Sequence, residues 1–528
     1  MESGELGVPR PGQSVGSRSD DSRGGWRAAG FLLAISFLEI VGFCGVQSNL
    51  MMYLTGHLGM STAAAATSVN AFIGTEMVLP LAGAMIADSR LGRYRAVLVA
   101  GVLYLLSLGM LTVSSTVRTT EPHAASSPPL AQLAFFHVAL YLLAAARGFH
   151  RPCAEALGAD QFAAPIDGGE DPSSRASRSS YFNWFHFALS FGFGIATAGL
   201  SYVEDNVSWT GGFGACWATM VLYLAVFLLG TPTYRAERPV DGSRFAETVR
   251  AWAARVFRRR EDKEAAGTER LLTGEPDEEG KGEGLVVKLL PIWATSLIFA
   301  AMLAQVTTLF TKQGSTLDRR LGMGTGLVVP PAALQFFLSV TMIATVPVYD
   351  RLFVPLARRV TGHHKGLTTL QRIGAGIATA GVAMAVAALV EARRLRVARE
   401  AGLVDEPDAA LPMSLWWMLP QYVLIGVAVL LAEIGLQEFF YDQVSDAFRS
   451  VGLALSMSIF GVGNYVSGML VSVTDWATRS RGESWFSDNL NRAHLDYFYW
   501  LLAGLAVLEL AVFLHLATRY AYRNKDEL

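Results

Sequence analysis

The sequence is short of charge, of cysteine and of any enzyme signature, and each shortage removes a class of function. Only 17% of its 528 residues are Asp, Glu, Lys or Arg, where a soluble protein carries about a quarter. Lys and Arg number 43 against 45 Asp and Glu, a net charge of −2, so no basic footprint for nucleic acid exists. The three cysteines, Cys44, Cys153 and Cys216, each lie in or beside an apolar stretch, which argues against a disulfide framework or a zinc site. The nine histidines form no His-Glu-x-x-His and no His-x-x-x-His pair, and neither a P-loop nor a Gly-x-Ser-x-Gly elbow occurs. No repeated filter sequence of the channel kind is present. An enzyme is therefore not expected, and neither is any cofactor.

What the chain has instead is apolar sequence, 52% hydrophobic residues overall. A helix needs about 20 mostly apolar residues to cross a bilayer. Twelve windows qualify, near 28–50, 69–87, 95–115, 131–152, 181–203, 213–230, 285–309, 330–349, 369–391, 414–437, 450–473 and 496–518. The expectation is an all-α membrane protein of twelve helices in two six-helix bundles, 28–230 and 285–518. Residues 1–27 read as a disordered cytosolic tail, 231–284 as a cytosolic linker and 519–528 as a second cytosolic tail. With the N-terminus inside, the inner loops and tails carry 29 Lys and Arg and the outer loops 11, as the positive-inside rule requires. The linker opens with Ser243 to Arg260, where Phe245, Val249, Trp252 and Val256 repeat at helical spacing beside arginines. This is the pattern of a helix lying on the inner membrane surface, although a solvated linker helix has the same spacing. Two equal halves with a central linker fit transporter folds whose solute site lies at the midplane between repeats.

Ionisable residues inside the bilayer are costly and mark solute or proton paths. Glu39 lies mid-window in the first helix, sharing a side with Gly42 and Asn49. Glu76 lies in the second, with Pro80 and Gly83 on its face. Arg147 and Arg151 are one turn apart at the end of the fourth, and Glu433 and Glu438 lie in the tenth. Arg151 also has the position of a residue that snorkels to the interface, and a neutral Glu76 bonded to a neighbouring helix is as good a reading as a proton carrier. His137 and His186 read as packing residues. At a cytosolic turn, Asp88 with Arg90, Arg93 and Arg95 forms a charge latch suited to a rocking transporter, echoed by Asp350 and Arg351 in the second half. The sequon Asn206-Val207-Ser208 falls in an outer loop and is a possible glycosylation site.

These segments resemble the plant nitrate and peptide transporter family, a branch of the proton-dependent oligopeptide transporters within the major facilitator superfamily. The matching stretches are Ala87-Asp88-Ser89-Arg90-Leu91-Gly92-Arg93-Tyr94-Arg95, Arg151-Pro152-Cys153 with Gly158-Ala159-Asp160-Gln161-Phe162, Phe182-Asn183-Trp184-Phe185 and Leu290-Pro291-Ile292-Trp293-Ala294. Further on come Val348-Tyr349-Asp350-Arg351, Glu438-Phe439-Phe440-Tyr441-Asp442-Gln443, Asp488-Asn489-Leu490-Asn491 and His494-Leu495-Asp496-Tyr497-Phe498. The resemblance implies the major facilitator fold and proton-driven transport of nitrate, short peptides or other small solutes. Four departures thin the coupling chemistry. The first-helix Glu-x-x-Glu-Arg of the family reads Ser36-Phe37-Leu38-Glu39-Ile40, and the tyrosines that follow it are Phe43 and Cys44. The fourth-helix lysine is Arg151, which keeps its charge at all pH values. The tenth-helix acid aligns with Val429, one turn from Glu433. The seventh-helix histidine associated with nitrate is Leu303, which with Asn49 and Gln305 is expected to line the solute cavity.

The leading expectation is a monomeric proton-coupled symporter in the lipid bilayer, with Glu39 and Arg151 as the coupling pair and Glu433 and Glu76 as supporting acids. An uncoupled facilitator or exporter of a small organic anion and a non-transporting solute sensor are the alternatives. The plasma membrane is the expected location and the vacuolar membrane the alternative. The terminal Lys525-Asp526-Glu527-Leu528 spells a lumenal retrieval signal, but an even helix count places it in the cytosol.

Overall fold

The computed structural model describes residues 23–87, 91–116, 130–162, 172–235, 289–321, 326–348, 351, 368–443, 449–479 and 484–519. Residues 1–22 and 520–528 of the expected tails, the linker stretch Ser243 to Arg260, and Asp88 and Asp350 of the expected latch lie outside them, while Gly25 to Arg27, expected in the first tail, stand on helix. Among the described residues ten helices are long and apolar enough to cross a membrane: α1 Gly25–His57, α2 Thr62–Ile86, α3 Arg93–Thr116, α4 Leu130–Asp160, α5 Ser180–Asn206, α6 Trp209–Thr233, then, after two shorter ones, α9 Thr369–Glu400, α10 Leu415–Asp442, α11 Gly452–Arg479 and α12 Leu495–Arg519. The two shorter apolar helices, α7 Leu289–Leu303 and α8 Pro331–Thr345, occupy the seventh and eighth windows.

The helices begin where the sequence supplies caps. Ser61 Oγ accepts from the amide of Ala64 ahead of α2, and Ser208 Oγ from that of Gly211 ahead of α6. Thr368 and Gln371 form a reciprocal capping box at the start of α9, which satisfies two otherwise orphan donors. Side chains such as Leu106, Val113, Val138, Leu229 and Val507 stay more than half exposed on the outside of the bundle. In water these would be a liability; against lipid tails they cost nothing.

Three expectations are corrected. The fourth helix does not end at 152 but runs unbroken to Asp160. Its 31 residues span about 46 Å at 1.5 Å per residue, longer than a hydrocarbon core of about 30 Å, so Arg151 stands on a helix and not in a loop. The ninth continues to Glu400, which puts Arg393, Arg394, Arg396 and Arg399 on helix and not in a loop. The seventh is interrupted: helix Leu297–Leu303 gives way to turns before a second segment, Leu309–Ser315. No Gly or Pro marks the break. Thr308 Oγ1 donates to the Ala304 carbonyl at 2.7 Å, the side-chain competition by which Thr disturbs a helix.

The two halves meet along small residues. At Gly74 on α2 an added Cβ would lie 2.9 Å from the Gly461 carbonyl oxygen on α11. Within the first half, a Cβ on Gly83 of α2 would come 2.0 Å from the Gly148 carbonyl oxygen of α4. Backbones that touch in this way are how membrane helices gain packing energy without a hydrophobic drive. Polar contacts between halves gather towards the face that the Lys/Arg asymmetry assigns to the outside, referred to as the outer face. There the Thr62 amide donates to Asp488 (3.0 Å), Lys312 Nζ to Thr55 Oγ1 (3.1 Å) and Gln335 Nε2 to the Ser48 carbonyl (3.0 Å). Arg319 pairs with Asp205. Deeper along the α2–α11 seam Asn70 bonds Ser467 and Thr75 bonds Tyr465. The structure is closed at its outer face.

Gly83→Val is expected to lower the melting temperature of the detergent-solubilised protein, because the clash is with backbone that cannot rotate away and overpacking costs about 1–3 kcal/mol. Fluorescence-detected thermal unfolding measures it, and an unchanged midpoint would show that α2 and α4 are not in contact there.

Candidate functional site

The Gly83–Gly148 contact fixes what lies beside it on α4 and two turns away on α2. It brings Glu76 of α2 and Arg147 of α4 together in the interior of the first half, and Glu39 of α1 completes the group. Arg147 Nη1 lies 3.0 Å from Glu39 Oε1 and its Nε 2.5 Å from Glu76 Oε1. The phenol of Tyr104 on α3 donates to the same Glu39 oxygen at 2.6 Å. The Phe43 ring lies under the guanidinium, 3.9 Å from its carbon, a cation–π contact that a desolvated arginine favours. Glu39 is 3% exposed, Glu76 1% and Arg147 8%. Beside them His150 Nδ1 shares a 2.9 Å hydrogen bond with Tyr223 OH.

Two carboxylates face one guanidinium. With all three ionised the buried cluster carries one net negative charge, and a buried charge without compensation is expensive. One proton on the cluster restores neutrality. Glu76 Oε2 is buried with no hydrogen-bond partner, so a proton can sit there without displacing an existing donor. The arrangement has room for one proton beside the arginine.

The cation against Glu39 is thus Arg147 and not Arg151, which corrects the expected pair. The buried positions of α4 include Phe136, Leu140, Leu143, Arg147, His150 and Ala154, a three-and-four spacing that the sequence already displays and that excludes Arg151. Arg151 is exposed and, among the described residues, makes no ion pair. Its charge reaches Glu39 in the first half, Glu155 on its own helix, and Glu433 across the seam. Glu433 is half-buried and closes a π-turn, Val429–Glu433, in α10; such turns shift side-chain register and recur at functional sites.

The other candidates are dispersed. Asn49 is fully buried and donates to Glu204 Oε2 at 3.2 Å, so it lines no cavity. Gln305 is likewise buried, bonded to Ser467 Oγ at 3.0 Å in the seam. Leu303 is partly exposed at the break in the seventh helix. At the inner end Arg93 binds Asp160 at 2.5 Å, linking α3 to α4, while Arg95 and Arg351 are exposed. Glu438 pairs with Arg372 at 2.7 Å. Asn206 is exposed, and its amide donates to the Val328 carbonyl of the second half at 3.2 Å. His137 and His186 each bond the carbonyl four residues back. No group of His, Cys, Asp and Glu able to hold a metal occurs among the described residues. Tyr104, His150 and Tyr223 were not singled out by sequence; each is polar in an apolar window and repays the same attention as a charge.

Comparison with known proteins gives one consistent answer. The family model described as the POT family matches residues 94–486. Protein NRT1/PTR FAMILY 5.10 of Arabidopsis thaliana is 43% identical, covering 99% of this chain and 98% of that protein, and NRT1/PTR FAMILY 5.16 of the same plant is 43% identical over 96% and 95%. Among solved structures, an autoinhibited POT family peptide transporter superposes with a TM-score of 0.74 at 20% identity, covering 95% of this chain and 99% of that one. A POT family transporter in complex with 5-aminolevulinic acid superposes at 0.67 with 16% identity, covering 95% and 99%.

Arg147→Met is expected to destabilise the protein by about 3–5 kcal/mol, because it leaves two buried carboxylates facing each other. Adding Glu39→Gln and Glu76→Gln to it should recover most of that loss. Thermal unfolding of the single and triple variants measures both; equal destabilisation in the two would show that the charges do not compensate one another.

Proposed function

The chain belongs to the POT family, and on that premise we propose that it is a proton-coupled symporter of a small anionic or zwitterionic solute. It is a multi-pass membrane transporter of the NRT1/PTR type and not an enzyme. The observation that carries the finer reading is the charge imbalance of Glu39, Glu76 and Arg147. The family's usual first-helix acid is missing at Ser36, whose hydroxyl only bonds the Leu32 carbonyl, but Glu76 supplies a second carboxylate to the same arginine from a different helix.

In this reading the cluster takes a proton while the outer face is open. Neutralised, it no longer holds Arg147 with full strength, and α1, α2 and α4 are free to shift against one another. Arg151, exposed one turn nearer the inner face, receives the solute's carboxylate or other anionic group. Glu433 on the opposite half receives a cationic group when the solute has one, as a peptide or an amino acid such as 5-aminolevulinic acid does. Solute bound between Arg151 and Glu433 draws the halves together, the outer face closes, and proton and solute leave on the inner side. The plasma membrane is the proposed site, with the vacuolar membrane as the alternative and the C-terminal tail in the cytosol.

Uptake of nitrate, dipeptides and small organic anions by oocytes at acidic and neutral outside pH tests this. A proton-binding step that precedes transport makes uptake rise as outside pH falls. Lowering pH by about one unit is expected to raise wild-type uptake severalfold, and Glu39→Gln is expected to abolish that rise. Uptake indifferent to both pH and Glu39 would instead identify an uncoupled facilitator, and surface-expressed protein with no flux of any compound would favour a sensor.

A further inference from the structure

A second buried carboxyl lies outside the cluster just described. Glu204 is near the outer end of α5, 1% exposed, and packs so tightly against α6 that a Cβ on Gly212 would meet its Cγ at 2.1 Å. No cation pairs with it among the described residues. The titratable groups that face it are Asp205 on its own turn, itself paired with Arg319, and the Cys216 thiol on α6. From α1 it meets the Asn49 side chain, whose Nδ2 donates to Glu204 Oε2 at 3.2 Å.

The remaining two atoms of that pair define its state. Asn49 Oδ1 and Glu204 Oε1 are both buried and both lack a hydrogen-bond partner. If Glu204 is ionised, both are acceptors only, and two buried acceptors go unsatisfied at about 1–3 kcal/mol each. Reversing the Asn49 amide does not help, because it sets the amide oxygen against Glu204 Oε2, acceptor against acceptor. A proton on Glu204 eases the mismatch: it removes the uncompensated buried charge and turns one of the two acceptors into a donor.

The pair also sits where the outer face is held shut. The Ser48 carbonyl, one residue from Asn49, accepts from Gln335 of the second half. Asp205, next to Glu204, pairs with Arg319, and Asn206 donates to the Val328 carbonyl. We propose that Glu204 is a second proton site, loaded when the outer face closes and emptied when it opens. It rests on the chain being an alternating-access transporter, but not on the Glu39–Arg147–Glu76 cluster being its coupling site. A hydrated glutamate is ionised at neutral pH. An open outer face that wets Glu204 therefore releases its proton, and closure takes one up. The closed state is favoured as pH falls and lost as pH rises.

Infrared difference spectroscopy on the full-length protein in liposomes reads the proton directly. At neutral pH, wild type minus Glu204→Gln should show the carbonyl stretch of one protonated carboxyl. Asn49→Ser, which keeps the acid and removes the carboxamide, should shift that band, and Glu39→Gln or Glu76→Gln should leave it in place. Spin labels on Val207→Cys and Leu327→Cys, exposed on opposite halves, report closure. Their close distance should be lost progressively from the wild type as pH rises above about 4.3, where a hydrated glutamate ionises, and persist throughout in Glu204→Gln, whose amide mimics the protonated acid. No protonated-carboxyl band removed by Glu204→Gln, or a label distance with the same pH response in both proteins, overturns the proposal. Failure of the coupling reading would appear separately, as acid-stimulated uptake that survives Glu39→Gln.

Discussion

The arrangement of the first half depends on one buried guanidinium. Arg147 is held between Glu39 and Glu76, with Tyr104 on one carboxylate and Phe43 beneath the plane. These residues come from α1, α2, α3 and α4, so a single charge ties four helices at one depth. Hydrocarbon offers nothing else to solvate that charge, which is why its partners must be brought to it by close backbone packing at Gly83 and Gly148. The same constraint makes the cluster responsive. One proton more or less changes its net charge by a full unit where compensation is hardest to find.

Interruptions of regular helix place the remaining polar groups. Glu433 ends a π-turn in α10, Glu204 follows another at Ala196–Leu200 in α5, and the seventh helix breaks beside Gln305. Irregular backbone at membrane depth survives only where protein or a cavity covers it, and these three sites all face the seam between the halves or the contacts that seal it. Of the outer contacts, two are neutral hydrogen bonds, two have one ionisable partner, Asp488 or Lys312, and one is the ion pair between Asp205 and Arg319. Each is weak by itself, as a gate that must open repeatedly requires.

Much of this was legible in the sequence. Apolar windows located the helices, and charges within them picked out Glu39, Glu76, Arg147, Arg151 and Glu433. The pairing was not legible in the same way. Arg147 and Arg151 are one turn apart, and only the direction in which α4 faces its neighbours separates an ion-pair partner from an exposed cation. The buried spacing through Phe136, Leu140, Leu143 and Arg147 carries that direction, whereas the motif resemblance drew attention to Arg151. The break in the seventh helix has no Gly or Pro to announce it. Glu204 sits one residue past the fifth apolar window and reads as a loop acid until α5 is seen to run on through Asn206. Asn49 shares a helix side with Glu39, but its burial against Glu204 gives it a different neighbourhood.

The central claim is that the Glu39–Arg147–Glu76 cluster exchanges a proton with each transport cycle. Reconstituted Glu76→Gln protein, assayed with a solute that the wild type transports, separates movement from coupling. Solute counterflow at equal pH needs only that the halves rock, while accumulation driven by a pH gradient needs the proton to travel too. The account predicts that Glu76→Gln retains counterflow and loses gradient-driven accumulation. Accumulation at the wild-type level in that variant would contradict it.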